Sequence, residues 1–562
     1  VSSPAARTAA QLAAELGLSE VTAACLRARG VTDATAARAF LAPRLAGLRR
    51  PEGLAGFAPA VERIGHAVLR GQRLGVFGDY DVDGVSTAAV LTAFLRAVGA
   101  AVEVAVARRD AGYGFSQEAA ADFVARGCQL IITGDCGTSD VPSLLAARAA
   151  GVDVVVIDHH TVPAGDEAHP AFALVNPFRA DSAFPFRGMA SVGIAFYVAS
   201  ALRTWLRDAG HFRTVAEPDP RELLDLVALG TIADLVPLRE ENRVLTALGL
   251  ERLAARRRPG LAALLEVAGV RPDDKIDARS VAFKLGPRLN APGRLGAALP
   301  SLELLLADAS SASACAAVLE QANQERRVVQ DAVMVEAVAT AQVGACVVAA
   351  GRGWSPGVVG IVAAKLVERH GRPAFVLAID EHGQARGSAR TTGGVDLYRA
   401  LATAAPLLER FGGHAAAAGL TVRAERLAEL TAALDAAVAG QLAVGSGPVA
   451  VAAVDADVEL RQVDERLCRE LASLGPFGQD NPTPRLRARG VRVLQRRLVG
   501  DGTHVKLVLD DGRGGELGAI GFGLAPHAPE RGDAVDLTFL PVASTWQGRS
   551  RVELELSAIE RP

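Results

Sequence analysis

Leu74-Gly75-Val76-Phe77-Gly78-Asp79-Tyr80-Asp81-Val82-Asp83-Gly84 sets three carboxylates directly behind a short apolar run. The run has the length and residue types of a buried strand, and the segment from Gly84 to about residue 98 has helical composition. On an extended backbone alternate side chains share a face, so this spacing predicts that Asp79, Asp81 and Asp83 converge at the strand's carboxyl end. Like charges crowded between apolar flanks cost folding energy unless a cation sits among them. The same D-x-D-x-D-G string opens an EF-hand loop, whose twelfth position must be a bidentate Glu. Counting from Asp79 gives Val90 there, and a strand rather than a helix precedes the string, so a calcium hand is excluded. A solvated acidic turn is the plainer alternative, and the apolar flanks speak against it.

Working outward, β-rich runs at 74–77, 102–107, 130–133 and 152–157 alternate with helical segments at about 61–70, 84–98, 116–127 and 140–150. This alternation predicts an α/β lobe, a parallel sheet covered on both faces, with its ligand site beyond the C-terminal strand ends. Asp135 ends the third run and Asp158-His159-His160 ends the fourth, both where that rule puts ligands. Asp234 closes a further apolar run at 226–233. Singly, each of these acids reads as well as a helix or turn cap; the specific signal is their joint occurrence at successive strand ends. Several carboxylates with at least one imidazole form a hard, oxygen-rich set suited to Mn²⁺ or Mg²⁺. Two divalent ions are the economical expectation for such a set, activating water and neutralising charge on a phosphoryl group, with no nucleophilic Ser or Cys required.

The remaining chain divides by composition. Residues 1–50 read as short amphipathic helices packing on the domain that follows, and the α/β lobe spans 51–302. A long helical connection occupies 303–342, and a smaller α/β unit spans 343–440. Residues 445–448 look like a linker, and 445–562 an all-β module, plausibly a small barrel. With 562 residues, roughly three or four domains are expected. Six scattered cysteines without a C-x-x-C pair argue against a disulfide framework or structural zinc. The net charge of −3 means that any nucleic acid must be met by local basic patches and metal ions rather than by global attraction. Without a run of about 18 apolar residues or an export signal, a soluble cytoplasmic protein with no membrane association is expected.

The blocks Gly78 to Gly84, Gly134-Asp135-Cys136-Gly137, Asp158-His159-His160 and Gly230-Thr231-Ile232-Ala233-Asp234 resemble, in order and spacing, the four motifs of the DHH phosphoesterase family. The resemblance implies that Asp135 bridges two metals, with Asp79 and Asp81 completing one site and Asp83, His159 and Asp234 the other. His160 would then contact substrate phosphate or brace the site. Arg108-Arg109-Asp110-Ala111-Gly112-Tyr113-Gly114, the segment Gly286 to Arg294, Gly387-Ser388-Ala389-Arg390 and Gly412-Gly413-His414 are similar to the family branch made of exonucleases on single-stranded DNA. That resemblance implies an OB-fold for the last module, a 5′-to-3′ exonuclease releasing mononucleotides, and association with a single-strand-binding protein and a RecQ-type helicase.

Chemistry suggests how such a strand would be held. Arg108, Ser388 and Arg390 can cap a 5′-phosphate by charge-assisted hydrogen bonds, and His414 belongs to the same lobe. Tyr113 can stack on a base, and Arg288, Asn290 and Arg294, in a Pro/Gly-shaped loop, can line the strand's path. Arg485, Arg487, Arg489, Arg492, Arg496 and Arg497 fall within thirteen residues that contain no acid, a plausible phosphate track. A phosphoesterase for short oligonucleotides or small phosphoesters and a catalytically inactive strand-binding subunit are the competing readings.

Overall fold

A computed structural model describes residues 8–109, 114–163, 169–444, 453–512, 515–546 and 549–561. Tyr113 and the 445–448 segment lie outside the described residues.

The first lobe is built on five parallel strands, β1 (Leu74–Gly78), β2 (Val102–Val106), β3 (Leu130–Gly134), β4 (Asp153–Ile157) and β5 (Ala173–Val175), in the order β2-β1-β3-β4-β5. Every residue of β1 and β3 is buried, which is why these strands read as continuous apolar runs. Alternation sorts their side chains between two cores. Leu74, Val76, Leu130, Ile132, Val155 and Ile157 pack with the helices Phe57–Leu69, Val82–Ala97 and Ser191–Asp208. Phe77, Ile131, Val154 and Val156 face Phe123 and Leu144 of the helices Gln117–Ala125 and Val141–Ala149. In-register pairing, Gly78 with Gly134 and Gly134 with Ile157, aligns the three strand ends that carry the acids.

The expected single connecting helix is two helices, Leu299–Leu306 and Ala312–Thr340. Asp308 causes the break, its Oδ1 accepting from the Ser310 and Ser311 amides at 2.9 and 3.0 Å and so competing with helical continuation. The long helix reaches the second lobe, where Val333 and Ala337 share a core with Val347, Val362 and Leu366. That lobe holds β6 (Gln342–Val343), β7 (Val347–Arg352), β8 (Ala374–Ile379), β9 (Gln384–Arg390), β10 (Arg410–Gly413) and β11 (Ala417–Arg423) in the order β10-β11-β9-β8-β7-β6. Only β7 and β8 are parallel.

The last module contains β12 (Ala456–Asp457), β13 (Leu486–Val499), β14 (His504–Asp510), β15 (Glu516–Gly521), β16 (Ala534–Trp546) and β17 (Arg549–Glu560). Pairing of β13 with β16 closes β13-β14-β15-β17-β16 into an OB-like barrel. The N-terminal helices Ala9–Leu16, Glu20–Ala28 and Ala34–Leu41 depart from expectation. They pack not on the domain that follows but on this distant module, burying Leu12, Cys25 and Leu26 against Leu467, Leu471 and Leu474 in the barrel's core cluster. Glu470 locks them, accepting from the Ser19 amide (2.9 Å) and the Ser19 and Thr22 hydroxyls (2.7 and 2.8 Å). Among the described residues no helix is long and apolar enough to cross a membrane.

Candidate metal centre and substrate cleft

β1 ends at Gly78 and the chain turns at once into the helix Val82–Ala97. A Cβ on Gly78 would lie 2.4 Å from the Gly84 carbonyl oxygen, and one on Gly84 2.5 Å from the Asp79 nitrogen, so the turn tolerates no side chain at either position. Asp81, its own backbone still extended, is the last residue before the helix. It caps the helix, accepting from the Gly84 amide at 3.1 Å, and Asp83 sits in the first helical turn. The three carboxylates converge, but through this strand-to-helix turn rather than through the alternation expected of a strand.

Asp135 follows β3 in a left-handed conformation (φ 63°). Asp83, fully buried, lies at the N-terminus of the helix Ser191–Asp208, whose Ser191 and Val192 amides donate to its two oxygens at 2.8 and 3.1 Å. The Ser191 hydroxyl donates to Asp135 Oδ1 at 3.1 Å. His159 Nε2 stands 3.3 Å from Asp135 Oδ1, 3.4 Å from Asp234 Oδ2 and 4.0 Å from Asp83 Oδ2. Ligating atoms of Asp79, Asp81 and Asp135 lie within 4.8 Å of one another, as do those of Asp83, His159 and Asp234, and those of Asp135, His159 and His160. Shared members make the three groups one contiguous centre. Asp158 stays outside it, accepting from the Thr138, His159 and His160 amides at 3.1, 2.7 and 3.1 Å and pairing with His160 Nδ1 at 2.7 Å.

Electrostatics follow from this crowding. Burial, and then the Asp81 charge, push Asp83 up to about 7 and Asp79 well above the carboxylate range. The nearby amides of Tyr80 and Gly114 oppose the shift in Asp79 without hydrogen-bonding to it. Burial with Asp83 and Asp81 raises Asp234 to about 9, and burial with Asp83, Asp81 and Asp234 raises Asp135. Burial, aided by the charge of His160, pulls His159 down to about 4, leaving a neutral imidazole with a lone pair to offer. For His160 burial acts against the cation, but the Asp158 hydrogen bond outweighs it and lifts the ring to about 9. Burial alone would raise Asp158; the same His160 contact instead holds it far below its usual range.

Among the described residues, both oxygens of Asp79 and Oδ2 of Asp234 are buried without a hydrogen-bond partner. Such orphaned carboxylate oxygens are costly unless something satisfies them. A hard divalent cation satisfies several at once, and a set of carboxylate oxygens with a neutral imidazole fits Mn²⁺ or Mg²⁺.

Beside this centre several arginines gather around Tyr80 and the junction with the second lobe. The Arg109 guanidinium stacks 4.1 Å from the Tyr80 ring and donates to the Gly293 carbonyl at 3.0 Å. Arg294 donates to the Gly357 carbonyl of the second lobe at 3.0 Å. The lobes meet so closely there that a Cβ on Gly357 would fall 2.0 Å from the Arg294 carbonyl oxygen. Burial, with Arg109, Arg326 and Arg390 nearby, draws Arg294 down to about 10. Arg390 and Ser388, on β9, flank Gly360 in the first turn of the helix Val359–His370: the Gly360 Cβ position is 3.1 Å from Arg390 Nη2 and 3.4 Å from Ser388 Oγ.

Other expectations part company with the structure. The segment Gly286–Leu295 is a helix, entered through a π-turn at Val281–Leu285, rather than a loop. Arg288 is buried in it, donating to Glu320 at 2.5 Å and to the Lys284 carbonyl at 2.7 Å, so its charge is spent internally instead of lining a strand's path. Asn290 is half-buried on the same helix, His414 is exposed after β10, and Arg108 is exposed in an isolated bridge to Ala297. On the barrel, the acid-free arginine run meets acids from elsewhere. Arg487 pairs with Asp457 at 2.6 Å, Arg489 with Asp457 at 3.6 Å and Arg496 with Glu530 at 3.1 Å. Arg485, Arg492 and Arg497 pair with no described acid.

Ser191 and Asn176 carry no signal of their own in the sequence, and Arg109 stands in a quoted motif without an assigned role. Asn176 donates to Thr138 Oγ1 at 3.1 Å and to the His160 carbonyl at 2.8 Å, bracing the Asp158–His160 turn.

Comparison with known proteins agrees with this geometry. Residues 73–231 match the N-terminal domain of the DHH family, 338–440 the DHHA1 domain and 454–558 the RecJ OB domain. The single-stranded-DNA-specific exonuclease RecJ of Bacillus subtilis is 35% identical over 553 residues, covering 97% of this chain and 68% of that protein. Its namesake from Escherichia coli is 38% identical over 490 residues, covering 83% and 82%. The crystal structure of RecJ from Thermus thermophilus in complex with Mn²⁺ superposes with a TM-score of 0.83 at 29% identity, covering 99% of this chain and 78% of that one.

Proposed function

The chain belongs to the RecJ family of DHH phosphoesterases and is a metal-dependent nuclease; from that premise we propose that it degrades single-stranded DNA from the 5′ end, releasing mononucleotides, with two divalent ions at the carboxylate centre. The observation that carries this reading is the contiguity of Asp79, Asp81 and Asp135 with Asp83, His159 and Asp234, ligand sets for two cations that share one wall. Bound there, Mn²⁺ or Mg²⁺ would supply an activated water and screen the charge that develops on the phosphoryl group.

The chain's own residues do the rest. Asp135, gripped by Ser191, belongs to the first set and stands 3.3 Å from His159 of the second, where it can bridge the two, and neutral His159 supplies the nitrogen donor. His160, charged and anchored by Asp158, offers a cation toward a phosphate oxygen. Arg390 and Ser388 beside the N-terminus of Val359–His370 combine a guanidinium, a hydroxyl and helix amides, the chemistry that holds a terminal 5′-phosphate. Arg109 and Arg294 lie between Ser388–Arg390 and the centre, and the stacked Tyr80 keeps Arg109 in place. A strand seated by its end on the second lobe therefore presents a phosphodiester near its 5′ terminus to the carboxylates.

The test is a single-stranded oligonucleotide carrying a label at either end, incubated with Mn²⁺. A 5′ label should appear at once in mononucleotide, while a 3′ label moves to steadily shorter strands. Digestion from the 3′ end, cleavage confined to dinucleotides, or binding without products would each refute the proposal.

A further inference from the structure

Glu241, Asn242 and Arg243 are three consecutive polar residues, all buried, at the start of the helix Glu240–Ala254. Helical geometry turns consecutive side chains about 100° apart, so each meets a different segment. Glu241 accepts from Arg49 Nη1 of the N-terminal segment at 2.8 Å. Arg243 donates to the Leu474 and Phe40 carbonyls, both at 2.9 Å. The helix end is thus clamped on both sides, and Asn242 points between the clamps. Its Nδ2 donates to the Gly188 carbonyl at 2.6 Å and to the Pro237 carbonyl at 3.0 Å, while its Oδ1 has no partner.

Each acceptor lies three residues from the metal centre. Gly188 leads through Met189 and Ala190 to Ser191, which holds Asp83 and Asp135, and the Met189 backbone borders the His159 ring. Pro237 follows Asp234 through Leu235, at φ 57° and 72% exposed, and Val236, which packs in the core. The centre therefore comes in two parts carried on separate chain segments, and one carboxamide spans them.

We propose that Asn242 is a positioning residue for the metal centre: its two donated hydrogen bonds fix Asp234 at ligating distance from the part that carries Asp83, Asp135 and His159. The inference rests on reading those carboxylates as metal ligands. Partners one shell removed from a metal commonly set its affinity through ligand orientation. Only the donors matter here, so a side chain of equal size without them should loosen the site while still filling the space.

The experiment compares Asn242→Leu and Asn242→Asp with the parent chain, following Mn²⁺ binding by electron paramagnetic resonance, metal-free melting temperature, and kcat and KM on single-stranded DNA as Mn²⁺ is raised. Expected are Mn²⁺ affinity weaker by roughly 10- to 100-fold, a kcat recovering at high Mn²⁺, and an unchanged KM for DNA. Parental Mn²⁺ affinity in a folded variant whose melting temperature alone has dropped would overturn the proposal and leave Asn242 a packing residue. Should both substitutions prevent folding, Asn242→Ser, too short to reach both carbonyls, is held to the same two outcomes. Failure of the underlying site reading has a different signature: the parent would bind no Mn²⁺, or Asp135→Asn would leave the titration unaltered.

Discussion

Charge is buried in opposite ways at two places in this molecule. At the sheet edge, Asp79, Asp83, Asp135 and Asp234 are pushed upward by burial and by one another, and three of their oxygens are idle. At the junction with the barrel, Arg243 is just as deep, only 3% exposed, and forms no ion pair with a described acid. Its Nη atoms instead find the Leu474, Ser473 and Phe40 carbonyls, its guanidinium lies 3.6 Å from the Phe40 ring, and only Nε lacks a partner. A charge wrapped in peptide dipoles and an aromatic face is a structural solution. Like charges sharing a pocket with oxygens left over are not, and their persistence marks a site completed by a ligand.

The comparison breaks most sharply at Asp135. Replacing it with Ala removes the carboxylate that links the Asp79–Asp81 group to His159, so cleavage of single-stranded DNA should fall to background while binding of the strand, measured by fluorescence anisotropy without metal, largely survives. Turnover near that of the parent would mean the centre is assigned to the wrong residues.

Metal removal tests the energetic half of the same contrast. Without a cation, the folded chain binds protons at Asp83 and Asp234 more tightly than the unfolded chain, where ordinary carboxylate values near 3.9 apply. The stability they contribute is complete below about pH 4 and lost as pH rises through about 7 and about 9. His160, raised to about 9, adds to that loss, while His159, lowered to about 4, acts only as pH falls below its unfolded value near 6.5. Between pH 7 and 9 the metal-free protein should therefore melt several degrees lower, and added Mn²⁺ should restore the melting temperature by most at pH 9. A metal-free melting temperature that rises across this interval would contradict the carboxylate energetics.

Much of this arrangement is legible in the residues themselves. A buried parallel strand must be apolar throughout, so the runs ending at Phe77, Thr133 and Ile157 announce both the sheet and its ligand edge, and the acids behind them follow. Hidden is whatever depends on partners far along the chain. Arg288 resembles a free cation until Glu320, on another helix, accepts from it, and Arg487 belongs to an acid-free run until β12 brings Asp457 alongside. The first helices carry an apolar face that states the need for a partner but not its address, and they find it more than 400 residues away in the Leu467–Leu474 region. Asp81 was legible as an acid but not as a cap, since a capping residue keeps an extended backbone and only the helical turn after it tells the two apart.

Arg243 should behave as the structural member of the pair. Arg243→Met keeps the stem that packs on Phe40 and removes the charge, leaving the carbonyls of Leu474 and Phe40 without donors at a cost of about 2 kcal/mol. The melting temperature should fall by a few degrees, with Mn²⁺ affinity unchanged because Asn242 and its two acceptors are untouched. Loss of Mn²⁺ affinity in this variant would show that the clamp, and not Asn242 alone, sets the centre.

Arg390 lies between the two extremes. It is largely buried, its Nη1 donates to the Ala389 carbonyl at 2.8 Å, and it forms no ion pair with a described acid, yet it shares its surroundings with Arg294, as the carboxylates share theirs. Like charges gathered without counterions again point to a ligand, here an anion, and the adjacent helix N-terminus supplies further donors. A charge-assisted hydrogen bond of this kind contributes about 1.5–3 kcal/mol, roughly 10- to 150-fold in affinity. Arg390→Ala should accordingly weaken binding of 5′-phosphorylated strands by about that factor and of 5′-hydroxyl strands hardly at all. Competition between the two ends in a single titration reads the difference directly, and equal weakening of both would return Arg390 to the class of Arg243, a charge kept for the fold.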